Sequence, residues 1–168
     1  MDIKIVKCTP DKLKAKPADE SKLGFGKIFT DHMFTVKYQD GKGWHDPVIG
    51  PYAPIVLDPT AMSLHYGQEI FEGLKAYRGR NGDIYLFRPM ENIKRMNASA
   101  ERLCMATIDP DLFMEGMKQL VLLEQDWIPR GEGTSLYIRP TMIATEPALG
   151  VHPADQYLFF IIVGPVGA

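Results

Sequence analysis

Residues 72–87 read EGLKAYRGRNGDIYLF, and this stretch decides the fold. Two strand-like runs, 72–78 and 84–87, flank the turn residues Arg80 to Asp83. An Asn-Gly pair between two such runs is a strong hairpin signal, because both turn residues tolerate positive φ. We therefore expect two antiparallel strands here, and a sheet whose strands are joined mainly by hairpin connections.

The residues before this hairpin predict a further strand followed by irregular chain. Apolar and polar residues alternate from Asp31 to Tyr38, and the turn residues Asp40 to Gly43 follow. This period of two is typical of a strand. Because proline removes a hydrogen-bond donor from a sheet, the stretch 46–59 predicts irregular chain and short edge strands. Its prolines are Pro47, Pro51, Pro54 and Pro59.

Two helices are predicted after the hairpin. Pro89 opens the first, which carries an apolar stripe at spacings of three and four: Met90, Ile93, Met96, Ala100 and Leu103. The second begins with Asp109 as N-cap and Pro110 in its first turn, and it ends before Pro129. Its apolar stripe is Phe113, Met117, Leu120, Val121 and Leu123.

Two more strands complete the predicted fold. Leu136 and Ile138 alternate with Tyr137 and Arg139, and Pro140 favours an edge or a bulge. The continuous apolar run 157–163 predicts a strand buried on both faces. The fold class is therefore α+β, a mainly antiparallel sheet with two helices packed on one face. We expect a flexible or surface segment at 1–22, a small α+β domain at 23–163, and the start of a linker at 164–168.

Composition excludes several classes of function. The 168 residues carry a net charge of -2 with a pI near 6.1, so there is no basic surface for nucleic acid or an anionic membrane. Cys8 and Cys104 are far apart, which argues against a disulfide framework or a zinc site and for a reducing compartment. The first 22 residues lack the apolar core of a signal peptide. A cytoplasmic protein without a metal site is expected.

The candidate site residues are aromatic side chains and arginines. Tyr66 and Phe71 lie close together in the chain, while Tyr137 and Arg139 share one face of a strand. Core packing or a surface position would also explain each of them. Arg95 falls off the apolar stripe of its helix. It is either a solvated arginine or one aimed at an anion such as phosphate, which suits its planar fork.

Several blocks of sequence together resemble branched-chain amino acid aminotransferases, which are fold-type IV enzymes that use pyridoxal 5'-phosphate (PLP). The blocks are LGFGKIFTDHM (23–33), LHYGQEIFEGLKAYRG (64–79), LFRPMENIKRM (86–96), GTSLYIRP (133–140) and EPALGV (146–151). They follow one collinear order and cover nearly the whole chain after Lys22. Such a set of long blocks is far more specific than any single short motif.

The resemblance implies a two-domain enzyme of roughly twice this length, with its active site in the cleft between the domains. This chain matches the smaller N-terminal domain only. The lysine that forms the Schiff base with PLP belongs to the C-terminal domain, so no catalytic residue is expected in this chain. We expect the fragment alone to be inactive and not to bind PLP. The full enzyme would be a homodimer that transfers the amino group of Leu, Ile or Val to 2-oxoglutarate.

The resemblance also implies roles for individual residues. Arg95 matches the arginine that contacts the PLP phosphate. Phe25, Tyr66 and Phe71 match residues that line the apolar substrate pocket. Tyr137 and Arg139 match a pair at the pocket edge, where the arginine supports the tyrosine equivalent to Tyr66. Leu149 and Val151 match a loop that reaches into the pocket of the other subunit.

Two other interpretations remain open at this point. Relatives with the same domain plan, a D-amino acid aminotransferase or an aminodeoxychorismate lyase, would keep the fold and change the substrate. A stand-alone binding or assembly module would use the pocket surface for a protein partner. The long blocks at 64–79 and 133–140 favour the branched-chain class.

Overall fold

The computed structural model describes residues 1–167, which form one eight-stranded sheet with helices. The strands are β1 (Lys4–Ile5), β2 (His32–Gln39), β3 (Gly43–Pro51), β4 (Glu69–Phe71), β5 (Leu74–Arg78), β6 (Ile84–Leu86), β7 (Ser135–Ala144) and β8 (Gln156–Val166). Their order is β1-β3-β2-β8-β7-β5-β6, and β4 pairs with β7 beside β5. Among these pairings only β1 with β3 is parallel. The α-helices are α1 (Met62–Tyr66), α2 (Pro89–Arg102) and α3 (Pro110–Leu123).

The predicted hairpin and the predicted fold class are confirmed. Strands β5 and β6 pair antiparallel, and Gly82 in the turn between them has a φ of 89°. The N–H of Gly79 donates to the carbonyl of Asp83 at 2.8 Å and closes the turn. The sheet is mainly antiparallel with α2 and α3 as its main helices, as the sequence indicates.

Both long helices begin where their prolines predict. The Asp109 side chain accepts from the N–H groups of Asp111 and Leu112 at 2.8 and 3.2 Å, which satisfies donors that a helix start leaves unpaired. Ile93, Met96 and Ala100 of α2 are buried, whereas Leu103 is 43% exposed because α2 ends before it. No helix within residues 1–167 is long and apolar enough to cross a membrane.

The prediction of irregular chain and short edge strands from residue 46 onward is wrong for its first part. Strand β3 is nine residues long and runs through Pro47 to Pro51. Asp46 has a φ of 55°, and the register with β2 shifts between Thr35 and Lys37. A bulge of this kind accommodates proline, because it removes residues from the hydrogen-bonded ladder.

Pro140 also lies elsewhere than predicted, since β7 is an interior strand. It pairs with β8 on one side and with β4 and β5 on the other. The carbonyl of Pro140 accepts from the N–H of Glu72 at 2.9 Å, so its missing N–H points towards the gap between β4 and β5. A proline is tolerated there because the ladder is already interrupted.

Both ends of the chain are attached to the sheet. Near the start, β1 pairs with β3, and the N–H of Lys14 donates to the Asp31 carboxylate at 2.8 Å. At the other end, β8 continues to Val166, so Gly164 and Pro165 are strand residues and not the start of a linker. Alternate residues of β8 are buried and half-buried, which differs from the predicted burial on both faces.

The core lies between the sheet and the helices. Phe34 of β2 and Phe159 of β8 pack there with Phe113 of α3, and the rings of Phe113 and Phe159 are 4.8 Å apart. Gly116 of α3 faces Phe34 so closely that an added Cβ would lie 2.7 Å from its ring. The side chains of Tyr137 and Arg139 alternate with the buried Leu136 and Ile138. They therefore extend from the face of the sheet opposite the helices.

Candidate functional site

Four of the predicted site residues come together on the open face of the sheet. The Arg139 Nη2 donates to the Tyr137 hydroxyl at 2.6 Å. The Arg139 guanidinium also lies over the Phe71 ring, 4.3 Å from its centroid. Phe25 meets the Tyr137 ring edge-on at a centroid distance of 4.9 Å. These contacts form one aromatic cluster around a single cation.

Sheet register explains why these residues meet although they are far apart in sequence. Tyr137 and Arg139 are two residues apart on β7, and Phe71 of β4 pairs with Thr141, the next residue on that face. Gly73 leaves room for the tyrosine, since a Cβ there would lie 2.3 Å from the Tyr137 hydroxyl. A small residue between β4 and β5 is therefore required by the cluster.

Phe25 reaches the cluster from a loop that lies directly on β8. The N–H of Thr30 donates to the carbonyl of Val163 at 3.0 Å, and the N–H of Gly167 donates to the carbonyl of Gly24 at the same distance. A Cβ added to Gly164 would lie 2.1 Å from the carbonyl oxygen of Ile28. The close approach of the two backbones needs glycine at this position.

Loop and sheet enclose a small cavity of about 230 Å³. Its walls are Phe25, Gly26, Ile28, Phe29, Tyr137, Arg139, Ile162, Gly164 and Val166. All of these except Arg139 and the Tyr137 hydroxyl are apolar or glycine. The buried Nε of Arg139 has no acceptor among the described residues. The cavity can therefore hold an apolar group beside a cation that is not neutralised by a carboxylate.

Tyr66 is placed at the end of α1 and contacts a different partner from the one the resemblance implies. Its hydroxyl donates to the backbone carbonyl of Leu149. Arg139 donates to Tyr137 and not to Tyr66, so the expected support of Tyr66 by this arginine is corrected. Val151 lies two residues beyond Leu149 and is 87% exposed. The 149–151 loop therefore joins the site through the Leu149 backbone.

Arg95 lies apart from this cluster, on α2. Its Nε and Nη2 donate to the two carboxylate oxygens of Glu72 at 2.6 and 2.7 Å. The Glu72 carboxylate also accepts from the Asn92 side-chain amide at 3.0 Å. Glu72 immediately follows Phe71, so the ion pair and the aromatic cluster share one short segment of chain.

The electrostatics of this ion pair have a clear direction. Burial alone would raise the pKa of Glu72, but the bonds from Arg95, Asn92 and the Gly73 N–H, together with the Arg95 charge, hold that pKa below its usual 4.5. The hydrogen bonds and the charge of Glu72 raise the pKa of Arg95. Both groups are therefore charged at neutral pH.

Glu72 and Asn92 were not among the residues singled out in the sequence. The available signal is the spacing of Asn92 and Arg95, which three residues place on one face of a helix. Their common partner Glu72 belongs to another element, and periodicity carries no information about it. Within residues 1–167, no three His, Cys, Asp or Glu side chains are grouped as metal ligands would be.

Comparison with known proteins identifies relatives over nearly the whole chain, although no family model matches it. The sequence is 56% identical over 155 residues to branched-chain-amino-acid transaminase 1 of Bacillus subtilis (strain 168). It is 56% identical over 156 residues to a probable branched-chain-amino-acid aminotransferase of Staphylococcus aureus (strain N315). These alignments cover 92% and 93% of this chain and 43% of each relative.

A solved structure shares the fold. It is a bacterial branched-chain amino acid aminotransferase with pyridoxamine 5'-phosphate, which aligns with a TM-score of 0.57 at 27% identity. The alignment covers 79% of this chain and 40% of that protein. The chain thus spans less than half the length of the proteins it matches, as a single N-terminal domain would. It is a homologue of branched-chain aminotransferases with the fold of a fold-type IV aminotransferase domain.

Proposed function

We propose that this chain is the N-terminal, substrate-pocket domain of a PLP-dependent branched-chain aminotransferase. The whole enzyme would transfer the amino group of Leu, Ile or Val to 2-oxoglutarate. The observation that carries this proposal is the aromatic cluster of Phe25, Phe71 and Tyr137 around Arg139. The identity of 56% to branched-chain enzymes supports it.

The cavity walls suit this pair of substrates. Branched aliphatic side chains offer no polar group, so an enzyme selects them by apolar shape, at about 1–3 kcal/mol for each methylene. The same site must accept glutamate or 2-oxoglutarate in the other half of the reaction. Arg139 and the Tyr137 hydroxyl are the polar groups available in the cavity for that additional carboxylate.

Arg95 fits the phosphate of PLP. Its side chain is 69% exposed, and among the described residues Glu72 engages only its Nε and Nη2. The Nη1 edge of the fork is thus open to a phosphate oxygen, a pairing that arginine geometry favours. Glu72 and Asn92 would keep the guanidinium in place. PLP, when bound, supplies the electron sink for transamination, and the lysine that holds it would lie in the C-terminal domain.

The remaining expectations also belong to this proposal. The enzyme would be a cytoplasmic homodimer in which the loop with Leu149 and Val151 reaches the pocket of the second subunit. The exposure of these two side chains supports a partner surface. Nucleic acid and membrane are not expected partners, since the net charge is -2.

An assay of the complete gene product tests the proposal. The coding sequence beyond Ala168 should continue into a domain with a lysine, and the purified protein should form glutamate from leucine and 2-oxoglutarate with PLP. Turnover of D-alanine without turnover of leucine would point to a D-amino acid aminotransferase instead. A stop codon after Ala168 would favour a binding module.

Two variants locate the pocket. In the complete protein, Arg139→Gln should raise the KM for 2-oxoglutarate more than the KM for leucine, while the exposed Lys37→Gln on β2 should change neither. Equal changes for both substrates would contradict the role given to Arg139. The 168-residue chain alone should show no turnover, and turnover by it would disprove the expected inactivity of the fragment.

A further inference from the structure

A second group of cations lies at the tip of the β5–β6 hairpin. Arg78, Arg80 and Arg130 line a cavity of about 310 Å³ together with Gly79 and Gly82. This cavity shares no lining residue with the one around Tyr137 and Arg139. Nothing in the proposed transamination uses these arginines.

Arg78 is held rigidly and its charge is not neutralised. Its Nη1 donates to the carbonyl of Gly82 at 3.2 Å, and its Nη2 donates to the carbonyl of Gln125 at 2.6 Å. Both acceptors are neutral, and the buried Nε has no acceptor among the described residues. A guanidinium fixed between two loops in this way is preorganised to attract an anion, because little side-chain entropy remains to be lost.

The other two arginines are exposed and are likewise free of carboxylate partners. Within residues 1–167, none of Arg78, Arg80 and Arg130 forms a salt bridge. Glu20 contacts the Arg130 loop, but its carboxylate accepts from the backbone N–H groups of Arg130 and Gly131 at 2.9 and 2.7 Å. Three unpaired cations therefore converge in a chain whose net charge is -2.

We propose that this cavity, which we name the arginine pocket, binds a phosphate group, either free or as a monoester. Guanidinium forks match phosphate oxygens in geometry, and three cations match the charge of a dianion. Gly79 and Gly82 lack side chains, which lets an anion approach the backbone of the turn. The volume is sufficient, since one water occupies about 30 Å³ in the liquid.

Titration of the 168-residue chain with inorganic phosphate, followed by amide NMR shifts at constant ionic strength, tests the proposal. The amides of Gly79, Gly82 and Arg130 should shift and saturate, with a Kd on the order of 1 mM. Glycerol phosphate serves as the second probe. Tighter binding of the ester would assign the arginine pocket to a phosphorylated metabolite, and equal binding would assign it to the phosphate group alone.

Variants separate this pocket from other cations of the chain. Arg80→Gln and Arg130→Gln should each weaken binding about tenfold, as expected for a lost charge-assisted hydrogen bond. Both side chains are exposed, so the fold should be retained, which thermal unfolding would verify. Lys42→Gln, a charge loss at the exposed β2–β3 turn, should leave binding unchanged. Linear shifts without saturation, or binding lost in Arg95→Gln and kept in Arg80→Gln, would overturn the proposal.

Discussion

Glu72 holds the guanidinium of Arg95 through two parallel hydrogen bonds, from Nε to Oε1 at 2.6 Å and from Nη2 to Oε2 at 2.7 Å. The two partners differ in burial, since the Glu72 side chain is 5% exposed and the Arg95 side chain 69%. The fixed, buried carboxylate therefore sets the position of the exposed cation. In this arrangement Glu72 is a positioning residue for the arginine that we assign to the cofactor phosphate.

Glu72→Gln should destabilise the chain, because the buried oxygens would lose their charge and the amide would face the donors of Arg95 and Asn92. We expect the free energy of unfolding to fall by about 1–3 kcal/mol, measured by urea denaturation. Glu91→Gln on α2 is the matched control, since Glu91 contacts Lys94 in an exposed pair worth about 0.5 kcal/mol or less. Equal losses in both variants would contradict the importance of the buried carboxylate.

Stability should depend on pH through the same residue. The pKa of Glu72 is lower in the folded chain than its usual 4.5, so the folded state binds its proton less readily than the unfolded state does. The stabilisation by Glu72 is therefore complete above pH 4.5 and is lost as the pH falls through the folded pKa. Glu72→Gln should lack this part of the acid dependence. Parallel pH profiles for the variant and the parent chain would disprove the assignment.

Gly164→Ala should disrupt the loop that carries Phe25. The added Cβ would lie 2.1 Å from the Ile28 carbonyl oxygen, so loop and strand must separate. We expect a loss of about 2–3 kcal/mol in unfolding free energy, by analogy with overpacked cores. Gly50→Ala is the control in another strand, because its Cβ would meet Val48 at an ordinary 3.6 Å. Equal thermal stability of the two variants would refute the close backbone contact.

Glu124→Ala should release the N-terminal segment from the sheet. The buried carboxylate of Glu124 bonds His32 Nδ1, and His32 Nε2 accepts from the N–H of Cys8 at 2.8 Å. Burial raises the pKa of Glu124 despite this partner, and removal of the side chain leaves the imidazole N–H without an acceptor. The expected cost is about 1–3 kcal/mol, with faster hydrogen exchange at Cys8.

The control for this variant is Glu115→Ala, which removes an exposed carboxylate of α3 that bonds only Gln119 in the described residues. It should change stability by no more than about 0.5 kcal/mol. Unchanged exchange at Cys8 in Glu124→Ala would show that the His32 contact does not hold the segment.

The parts of the fold that the sequence predicted are those with local causes. Asn81 and Gly82 specify a turn by their own backbone preferences, and Asp109 caps α3 with its own side chain. The prolines were misjudged because their tolerance depends on neighbours. Pro47 lies at a bulge opposite β2, and Pro140 lies where β4 and β5 meet β7. Neither neighbour can be read from the residues around the proline.

The candidate site divides in the same way. Tyr137 and Arg139 were paired correctly from the two-residue period of a strand, and their contact is confirmed. The functional roles of the site residues stay predictions. The partners of Arg95 and Tyr66, which are Glu72 and the Leu149 carbonyl, were not foreseen. These contacts join elements separated by 23 and 83 residues, beyond the reach of any periodicity.

The sequence by itself determined the hairpin, the two long helices and the resemblance to branched-chain aminotransferases, because turn chemistry, capping and apolar spacing act within a few residues. Only the tertiary structure decided which side chains share a cavity. The aromatic cluster, the Glu72–Arg95 ion pair and the arginine pocket each depend on how β7 aligns with β4, β5 and β8. That register follows from packing of the whole sheet on its helices, which no local segment encodes.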